Sequence, residues 1–279
     1  MNAHHSPSWI SPLAKTGYAA KGLVYAIIGY LAAETAFGEG GLITGSGGAL
    51  QQIRSQPFGQ TLLMIVGVGL LAYALFSFLA AFFDVENKGE DGQGLAKRAG
   101  YLGSGVIYSS LAIAAFTGLS KGGGGGNEEK WTAKVLSMPA GPWLVGALGA
   151  AIIVGGIMQW VKAYKGKYRS KFTLDSFAAS KRRWIEGVAK LGLTARGIVF
   201  LIIGYFLIRA ATQSDPSEAK GLDDALGALA QQPYGTWMLG LTAIGLVCYG
   251  LYCWVLTAYG NFGGANAKHF SASGRLGRV

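Results

Sequence analysis

Two stretches of the chain spell nearly the same ten residues. KGLVYAIIGY occupies 21–30 and RGIVFLIIGY occupies 196–205. Each places a cation directly before an apolar run, and each run ends in Gly-Tyr. A match of this length within one chain indicates an internal repeat, and a repeat limits the possible folds more strongly than any single motif does.

A third copy lies between the first two. When Gly105 is aligned with Gly22, GYLGSGVIY (100–108) falls on GYAAKGLVY (17–25). A second motif also occurs three times, as QPFG, MPAG and QPYG. The sequence therefore predicts three units, at 11–85, 94–165 and 188–261. A basic linker at 166–187 precedes the third unit, and a flexible tail at 262–279 follows it.

Each unit contains two apolar blocks that are long enough to cross a hydrocarbon core of ~30 Å, which takes about 20 helical residues. Only 14% of the residues are charged, against about a quarter in a soluble domain. The blocks lie at Gly17–Phe37, Phe58–Phe83, Gly100–Leu119, Gly141–Val161, Leu191–Ala211 and Gly235–Tyr259. They lack the alternation of barrel strands, so we predict an all-α membrane protein with six transmembrane helices.

The units should share one orientation, because each holds an even number of spans. Such parallel repeats predict three helical hairpins around a pseudo-threefold axis, with a linear array as the alternative. Small residues lie on one face of the first span, at Gly22, Ala26, Gly29 and Ala33, where close helix packing is expected. Between the spans of the first and third units, Ala-Leu before a Gln-Pro-aromatic-Gly sequence predicts a short amphipathic helix that ends near the proline.

The net charge of +10 is unevenly placed. With six spans, 18 of the 24 Lys and Arg residues fall on the side that holds both termini. The positive-inside rule then predicts a cytoplasmic N-terminus and C-terminus. The first apolar run has some features of a signal peptide, but it recurs as the fifth block, so we expect it to remain as a span.

Cations recur ahead of the first span of each unit and in the linker. We predict that they anchor the spans at anionic lipid headgroups, with the deeper Lys21 and Arg196 extending back along their alkyl stems. A cytoplasmic-side anion site is the alternative. Nucleic acid is less favoured for the linker, since it is tethered beside an anionic leaflet. The anchor residues are Lys15, Lys21, Arg98, Lys190, Arg196, Lys165, Lys167, Arg169, Lys181, Arg182 and Arg183.

Two charges occupy equivalent positions near the outer ends of spans. Glu34 in the first unit corresponds to Arg209 in the third, and the middle unit has Thr117 there. Tyr30 and Tyr205 lie one turn earlier on the same faces. These five residues form a candidate intramembrane polar site. Headgroup contact, a structural Glu34–Arg209 ion pair and a gate or substrate contact are the three interpretations.

The repeated motifs resemble a known family. Tandem two-helix repeats with GYxAKGxVY opening one span and GAL…QPFG opening the next resemble the bacterial membrane family catalogued as domain of unknown function 1206. The middle unit departs from the pattern, because Ser104 replaces the cation and MPAG lacks the aromatic residue. The resemblance implies a six-span protein of the bacterial inner membrane, and it supplies no catalytic residues.

No motif in the sequence indicates catalysis, a metal or a cofactor. The three histidines lie outside the spans, and Cys248 and Cys253 are expected to be buried thiols. We therefore predict a non-enzymatic accessory or scaffold protein that binds membrane lipid or a membrane protein partner, and no nucleic acid. A channel or transporter for a small solute or ion along the repeat axis is the alternative, followed by an enzyme acting on lipid or quinone.

Overall fold

The computed structural model is all-helical, and it describes residues 7, 9–38, 42–117, 125–171, 178–260 and 262. Nine α-helices lie within those ranges. They are α1 (Ile10–Ala36), α2 (Ser46–Arg54), α3 (Gly59–Phe82), α4 (Gly92–Thr117), α5 (Gly125–Leu136), α6 (Gly141–Tyr164), α7 (Ala179–Gln213), α8 (Leu222–Ala230) and α9 (Gly235–Tyr259). The tail after residue 262 lies outside the described residues.

Six long helices match the six predicted apolar blocks. Five of them, α3, α4, α6, α7 and α9, are long and apolar enough to cross a membrane, which indicates a membrane protein. The sixth helix, α1, is long enough with 27 residues, but Lys15, Lys21 and Glu34 lower its mean hydropathy. Helix α7 has 35 residues, because it begins within the region predicted as the basic linker.

The two short helices predicted between spans are present as α2 and α8. Each is followed by an aromatic residue with left-handed backbone, Phe58 (φ 61°) or Tyr234 (φ 63°). The next residue is a glycine, and a Cβ atom on Gly59 would stand 2.1 Å from the carbonyl oxygen of Arg54. This close approach explains why a glycine opens α3. In the middle unit α5 occupies the matching place, a helix that the sequence motifs did not predict.

The most extensive helix pairs join one unit to the next: α3 with α4, α6 with α7, and α9 with α1. In each pair an aromatic ring covers a glycine of the neighbouring helix. A Cβ atom on any of these glycines would stand 2.5–2.8 Å from that ring. The pairs are Phe78 over Gly105, Trp160 over Gly197 and Trp254 over Gly22. The same interface is thus built three times.

The small-residue face predicted on the first span is confirmed for two of its residues. Gly22 and Gly29 lie directly against α9, where added Cβ atoms would stand 2.8 Å and 2.7 Å from the carbonyl oxygens of Gly250 and Ala243. Trp254 adds a hydrogen bond by donating its indole N–H to the carbonyl of Ala19 at 3.1 Å. Close backbone approach therefore holds α1 on α9.

Packing within a unit differs among the three units. Helix α1 packs on α3, and α7 packs on α9, whereas α4 and α6 of the middle unit make hardly any contact among the described residues. The closest approach in the two packed hairpins is again at a glycine. An added Cβ atom on Gly17 would stand 2.6 Å from the Cα atom of Tyr73, and one on Gly192 would stand 2.6 Å from the Cα atom of Tyr249.

Burial follows the same division. In the most apolar stretch of each candidate span, 67% of α9 and 56% of α3 is buried, against 22% of both α4 and α6. Helix α1 lies inside the assembly, with Ala14, Ile28 and Ala32 fully buried. The middle unit therefore exposes most of its apolar surface, while the core forms between the first and third units.

Candidate functional site

A lysine lies at the centre of the core. Lys21 of α1 is only 2% exposed, and its Nζ donates a hydrogen bond of 2.9 Å to Tyr73 Oη on α3. The ammonium is also surrounded by aromatic rings. Their centroids lie 4.3 Å (Tyr73), 5.0 Å (Tyr108), 5.7 Å (Tyr18) and 5.8 Å (Tyr249) from Nζ. At these distances each ring face can attract the cation.

The equivalent residue of the third unit, Arg196 of α7, is half-buried beside it. Its Nη1 donates to Tyr249 Oη on α9. The guanidinium carbon lies 4.7 Å from the Phe200 ring, 4.8 Å from the Tyr249 ring and 5.7 Å from the Tyr25 ring. The two cations therefore flank the same tyrosine, since Tyr249 faces both.

The tyrosines pack on one another as well as on the cations. Tyr73 and Tyr108 meet edge to face with centroids 4.6 Å apart, and Tyr25 meets Tyr249 in the same way at 4.7 Å. Tyr18 contacts Tyr73 at 5.2 Å. Edge-to-face pairs contribute about 0.5–1.5 kcal/mol each beyond their burial. We name the set the cation–tyrosine cluster: Lys21, Arg196, Tyr18, Tyr25, Tyr73, Tyr108 and Tyr249.

The cluster carries positive charge without a carboxylate partner. Among the described residues, neither Lys21 nor Arg196 forms an ion pair. Arg196 Nε is buried and has no hydrogen-bond acceptor there. Burying a charge without a counter-ion costs several kcal/mol, and cation–π contacts of about 0.5–2 kcal/mol each offset part of that cost. Within the ranges that the structure describes, the cluster thus holds two basic groups without a carboxylate, and one buried donor, Arg196 Nε, has no acceptor.

The cluster also accounts for the difference between hairpins. Lys21–Tyr73 links the two helices of the first unit, and Arg196–Tyr249 links the two helices of the third. In the middle unit the corresponding positions hold Ser104 and Gly155. A serine and a glycine cannot form this bridge across a hairpin. The unit that lacks both bridging side chains is the unit whose helices are apart.

The expectation that Lys21 and Arg196 reach the headgroups is corrected by the structure. Lys21 points into the core, where its ammonium is enclosed by rings and bonded to Tyr73. Arg196 is directed at Tyr249 in the same way. Both side chains can be held inside the helix assembly because tyrosine hydroxyls and ring faces replace part of their hydration.

Most of the other predicted anchor residues lie near the ends of the long helices or in the linker, and Lys190 lies within α7. Lys15 is half-buried, whereas Lys190, Lys165, Lys167 and Arg183 are exposed. The remaining four form specific contacts: Arg98 with the carbonyls of Ala81 and Phe82, Arg169 and Arg182 with Glu186, and Lys181 with Tyr259 Oη. Arg98 thus satisfies carbonyl groups at the end of α3, a common role for a cation at a helix C-terminus.

Of the interpretations of the predicted intramembrane polar site, the Glu34–Arg209 ion pair is not found among the described residues. Arg209 pairs with Glu218 of its own unit at 2.8 Å, while Glu34 is half-buried and forms no ion pair among the described residues. Thr117 is exposed and donates to the carbonyl of Ile113. Tyr30 and Tyr205 are 59% and 56% exposed on α1 and α7.

Two aspartates after α7 show opposite pKa shifts. The hydroxyl and amide of Ser217 both donate to Asp215, and they hold the pKa of that carboxyl below its usual range. Burial, followed by repulsion from Asp224, raises the pKa of Asp223. Among the described residues, no three His, Cys, Asp or Glu side chains lie close enough together to hold a metal ion.

The cluster's tyrosines were not predicted as site residues. Their signal lies in how the three units differ. Tyr73 and Tyr249 match in the repeat alignment, and the middle unit loses the tyrosine and the cation together, as Gly155 and Ser104. A paired loss across aligned units would have indicated a direct contact between those two positions.

The fold and the cluster define a class: an all-α, membrane-type protein assembled from three copies of a helical hairpin. The chain belongs to the family described as Domain of Unknown Function (DUF1206), which matches it at residues 16–84, 99–166 and 191–260. The resemblance stated from the repeat motifs is thereby confirmed.

One curated relative is an uncharacterized protein, YxxB, of Bacillus subtilis (strain 168). It is 38% identical to this chain over 239 residues, which cover 85% of the chain and 86% of that protein. No solved structure matches the chain.

Proposed function

We propose that the chain is a six-span protein of the bacterial inner membrane with both termini in the cytoplasm. The burial of α1 supports its role as the sixth span, because the aromatic rings of the cluster keep the Lys21 ammonium away from the acyl chains. The 27 residues of α1 extend about 40 Å at 1.5 Å per residue. The asymmetry of Lys and Arg supports the orientation.

The arrangement we propose is a pseudo-threefold ring of three parallel hairpins. The support for it is the interface that recurs between successive units, with Trp254 on α9 covering Gly22 on α1 as Phe78 and Trp160 cover the matching glycines. Because α1 contacts α9, the third unit meets the first unit as well as the second. A linear array of hairpins would leave α1 and α9 apart.

In function, the protein is a non-enzymatic accessory component that binds an anion in the cation–tyrosine cluster. The observation that carries this proposal is that the buried Lys21 and the half-buried Arg196 have no carboxylate partner among the described residues. Oxyanions such as phosphate accept charge-assisted hydrogen bonds from both lysine and arginine. Arg196 Nε, which has no acceptor, and the tyrosine hydroxyls add further donors.

The test is a phosphate titration of the purified protein in a non-ionic detergent at constant ionic strength. Phosphate is expected to raise the midpoint of thermal unfolding of the wild type, since a ligand that binds only the folded state stabilises it. Lys21→Met and Arg196→Met should abolish that shift. Lys190→Met, which removes an exposed cation of α7, is the matched control and should retain it.

Without phosphate, Lys21→Met is expected to be as stable as the wild type or more stable. Methionine has a similar length and removes a buried charge, a replacement that is often neutral or stabilising by about 1–4 kcal/mol. This separates loss of binding from loss of folding. Equal phosphate shifts in the wild type and in both cluster variants would rule out the anion site.

A further inference from the structure

We propose, building on the anion site above, that its ligand is the phosphate of a membrane phospholipid. The lipid reaches Lys21 and Arg196 sideways from the bilayer, through the gap between α4 and α6. The middle hairpin is thus the access route to a site that the first and third hairpins hold. This assignment rests on the proposed anion binding and adds a source and a path for the anion.

One wall of the gap contributes a residue to the cluster, and the other wall lies against a ring beside the cluster. On one wall, α4 contributes Tyr108, whose ring lies 5.0 Å from Lys21 Nζ. On the other wall, α6 has Gly155, where an added Cβ atom would stand 3.7 Å from the ring of Phe200. That ring in turn lies 4.7 Å from the guanidinium of Arg196. A group that enters between α4 and α6 therefore meets the surroundings of both cations.

The two helices beside the gap lack the residues that bridge the other hairpins. Ser104 and Gly155 stand where the other units have a cation and a tyrosine that bridge the hairpin. Nearby, added Cβ atoms on Gly100 and Gly103 of α4 would have no neighbour within 4 Å. The glycines that correspond to Gly100 in the other units, Gly17 and Gly192, pack directly on the backbone of Tyr73 and Tyr249 respectively.

The surface around the gap suits a lipid better than a water-borne anion. The flanking helices expose large apolar side chains, such as Val106 and Ile107 on α4 and Val154 and Ile157 on α6, each between 46% and 59% exposed. Acyl chains can lie on such a surface while the phosphate extends inward. Lys21 is four residues inside the predicted start of its span, about 6 Å along the helix, which is within reach of a headgroup.

A third cation favours the same path. Lys162 of α6 is exposed and interacts electrostatically with Lys21. It lies two turns beyond Gly155 on the wall of the gap, toward the basic side of the membrane. A negatively charged headgroup is attracted to that side, and Lys162 adds to the positive field along its route.

The experiment uses the full chain after delipidation in non-ionic detergent. Phosphatidylglycerol is added back, and the bound lipid is measured by native mass spectrometry, with a diacylglycerol of the same chain length as the phosphate-free probe. The wild type should retain phosphatidylglycerol at least tenfold better than diacylglycerol. Lys21→Met and Arg196→Met should each lose that preference.

Plugging the gap tests the path separately from the site. Gly155→Phe and Ser104→Leu each add apolar volume between α4 and α6 without changing charge. Both should reduce phosphatidylglycerol binding at least tenfold, and either variant suffices if the other does not fold. The matched control is Gly227→Phe on α8, where an added Cβ atom has no neighbour within 4 Å, and it should bind as the wild type does.

The outcomes separate the two proposals. If inorganic phosphate stabilises the wild type and the plugged variants, but no phospholipid preference depends on Lys21, the anion site stands and the lipid assignment is overturned. If lipid binding depends on Lys21 and is unchanged in both plugged variants, the path between α4 and α6 is overturned. If neither phosphate nor phospholipid binding depends on the cations, both proposals are overturned.

Discussion

The first and third units form closed hairpins, and the middle unit forms an open one, although all three match one repeated sequence pattern. In the closed units a cation of the first helix meets a tyrosine of the second, Lys21 with Tyr73 and Arg196 with Tyr249. The middle unit has Ser104 in place of the cation. The hairpin whose helices are apart is thus the one that has Ser104 and Gly155 at the two bridging positions.

The comparison also shows which contacts the repeat retains. The interface between successive units survives in all three copies, because Gly22, Gly105 and Gly197 each lie under an aromatic ring. The contact inside the unit survives in only two copies. Assembly of the three hairpins and closure of each hairpin are thus determined by different residues, so one can change without loss of the other.

The largest expected effect is at the glycines where the closed hairpins touch. Gly17→Leu or Gly192→Leu forces a side chain into the backbone of Tyr73 or Tyr249, which stands 2.6 Å from the added Cβ atom. Overpacking against backbone should lower the free energy of unfolding by about 3 kcal/mol or more. Denaturation in mixed detergent micelles, followed by circular dichroism, measures this loss.

The middle unit supplies the control for that change. Gly100 is the equivalent residue of α4, and a Cβ atom there meets nothing within 4 Å. Gly100→Leu should therefore alter the free energy of unfolding by less than about 0.5 kcal/mol, as surface changes usually do. Equal losses at Gly17 and Gly100 would contradict the distinction between closed and open hairpins.

The next largest effect concerns the bridging hydroxyls. Tyr73→Phe and Tyr249→Phe keep the rings but leave Lys21 or Arg196 without its acceptor. A hydrogen bond to a charged group contributes about 1.5–3 kcal/mol, and we expect a loss of that size in the free energy of unfolding. The same denaturation assay measures it.

Tyr108→Phe is the matched variant in the middle unit. Tyr108 faces Lys21 with its ring, and no hydrogen bond of its hydroxyl is found in the described part of the chain. The change should therefore cost less than about 0.5 kcal/mol. A loss at Tyr108 as large as that at Tyr73 would show that the hydroxyl bridge is not what distinguishes the hairpins.

The repeat and its helices were predictable because each depends on local sequence. Apolar blocks and the recurrent Gln-Pro-aromatic-Gly sequence locate the long helices together with α2 and α8. The direction of Lys21 was not predictable in the same way. A cation near the end of a span is equally consistent with a headgroup contact and with burial among aromatic rings. Only the packing of α3 and α9 around α1 distinguishes these two arrangements.

The candidate polar site at Glu34 and Arg209 illustrates the same limit. Their equivalence in the repeat is correct, but equivalent height along a span does not make two side chains meet. Arg209 forms its ion pair with Glu218, which follows α7 in the same unit. That residue lies in a connection whose course the repeat does not determine.

The smallest expected effect lies in the connection after α7, where a short turn is capped by Asp215. The pKa of this carboxyl is lowered by its hydrogen bonds from Ser217. Its contribution to stability is therefore fully present above the unfolded pKa of about 3.9 and is lost as the pH falls through the lower folded pKa.

Amide exchange at Ser217 should be faster in Asp215→Ala than in the wild type at neutral pH, after correction for the intrinsic rate. The difference should shrink below about pH 4, while Thr212→Ala, one turn away, should leave it unchanged. A difference that grows on acidification would mean that the protonated carboxyl caps the turn, contrary to this assignment.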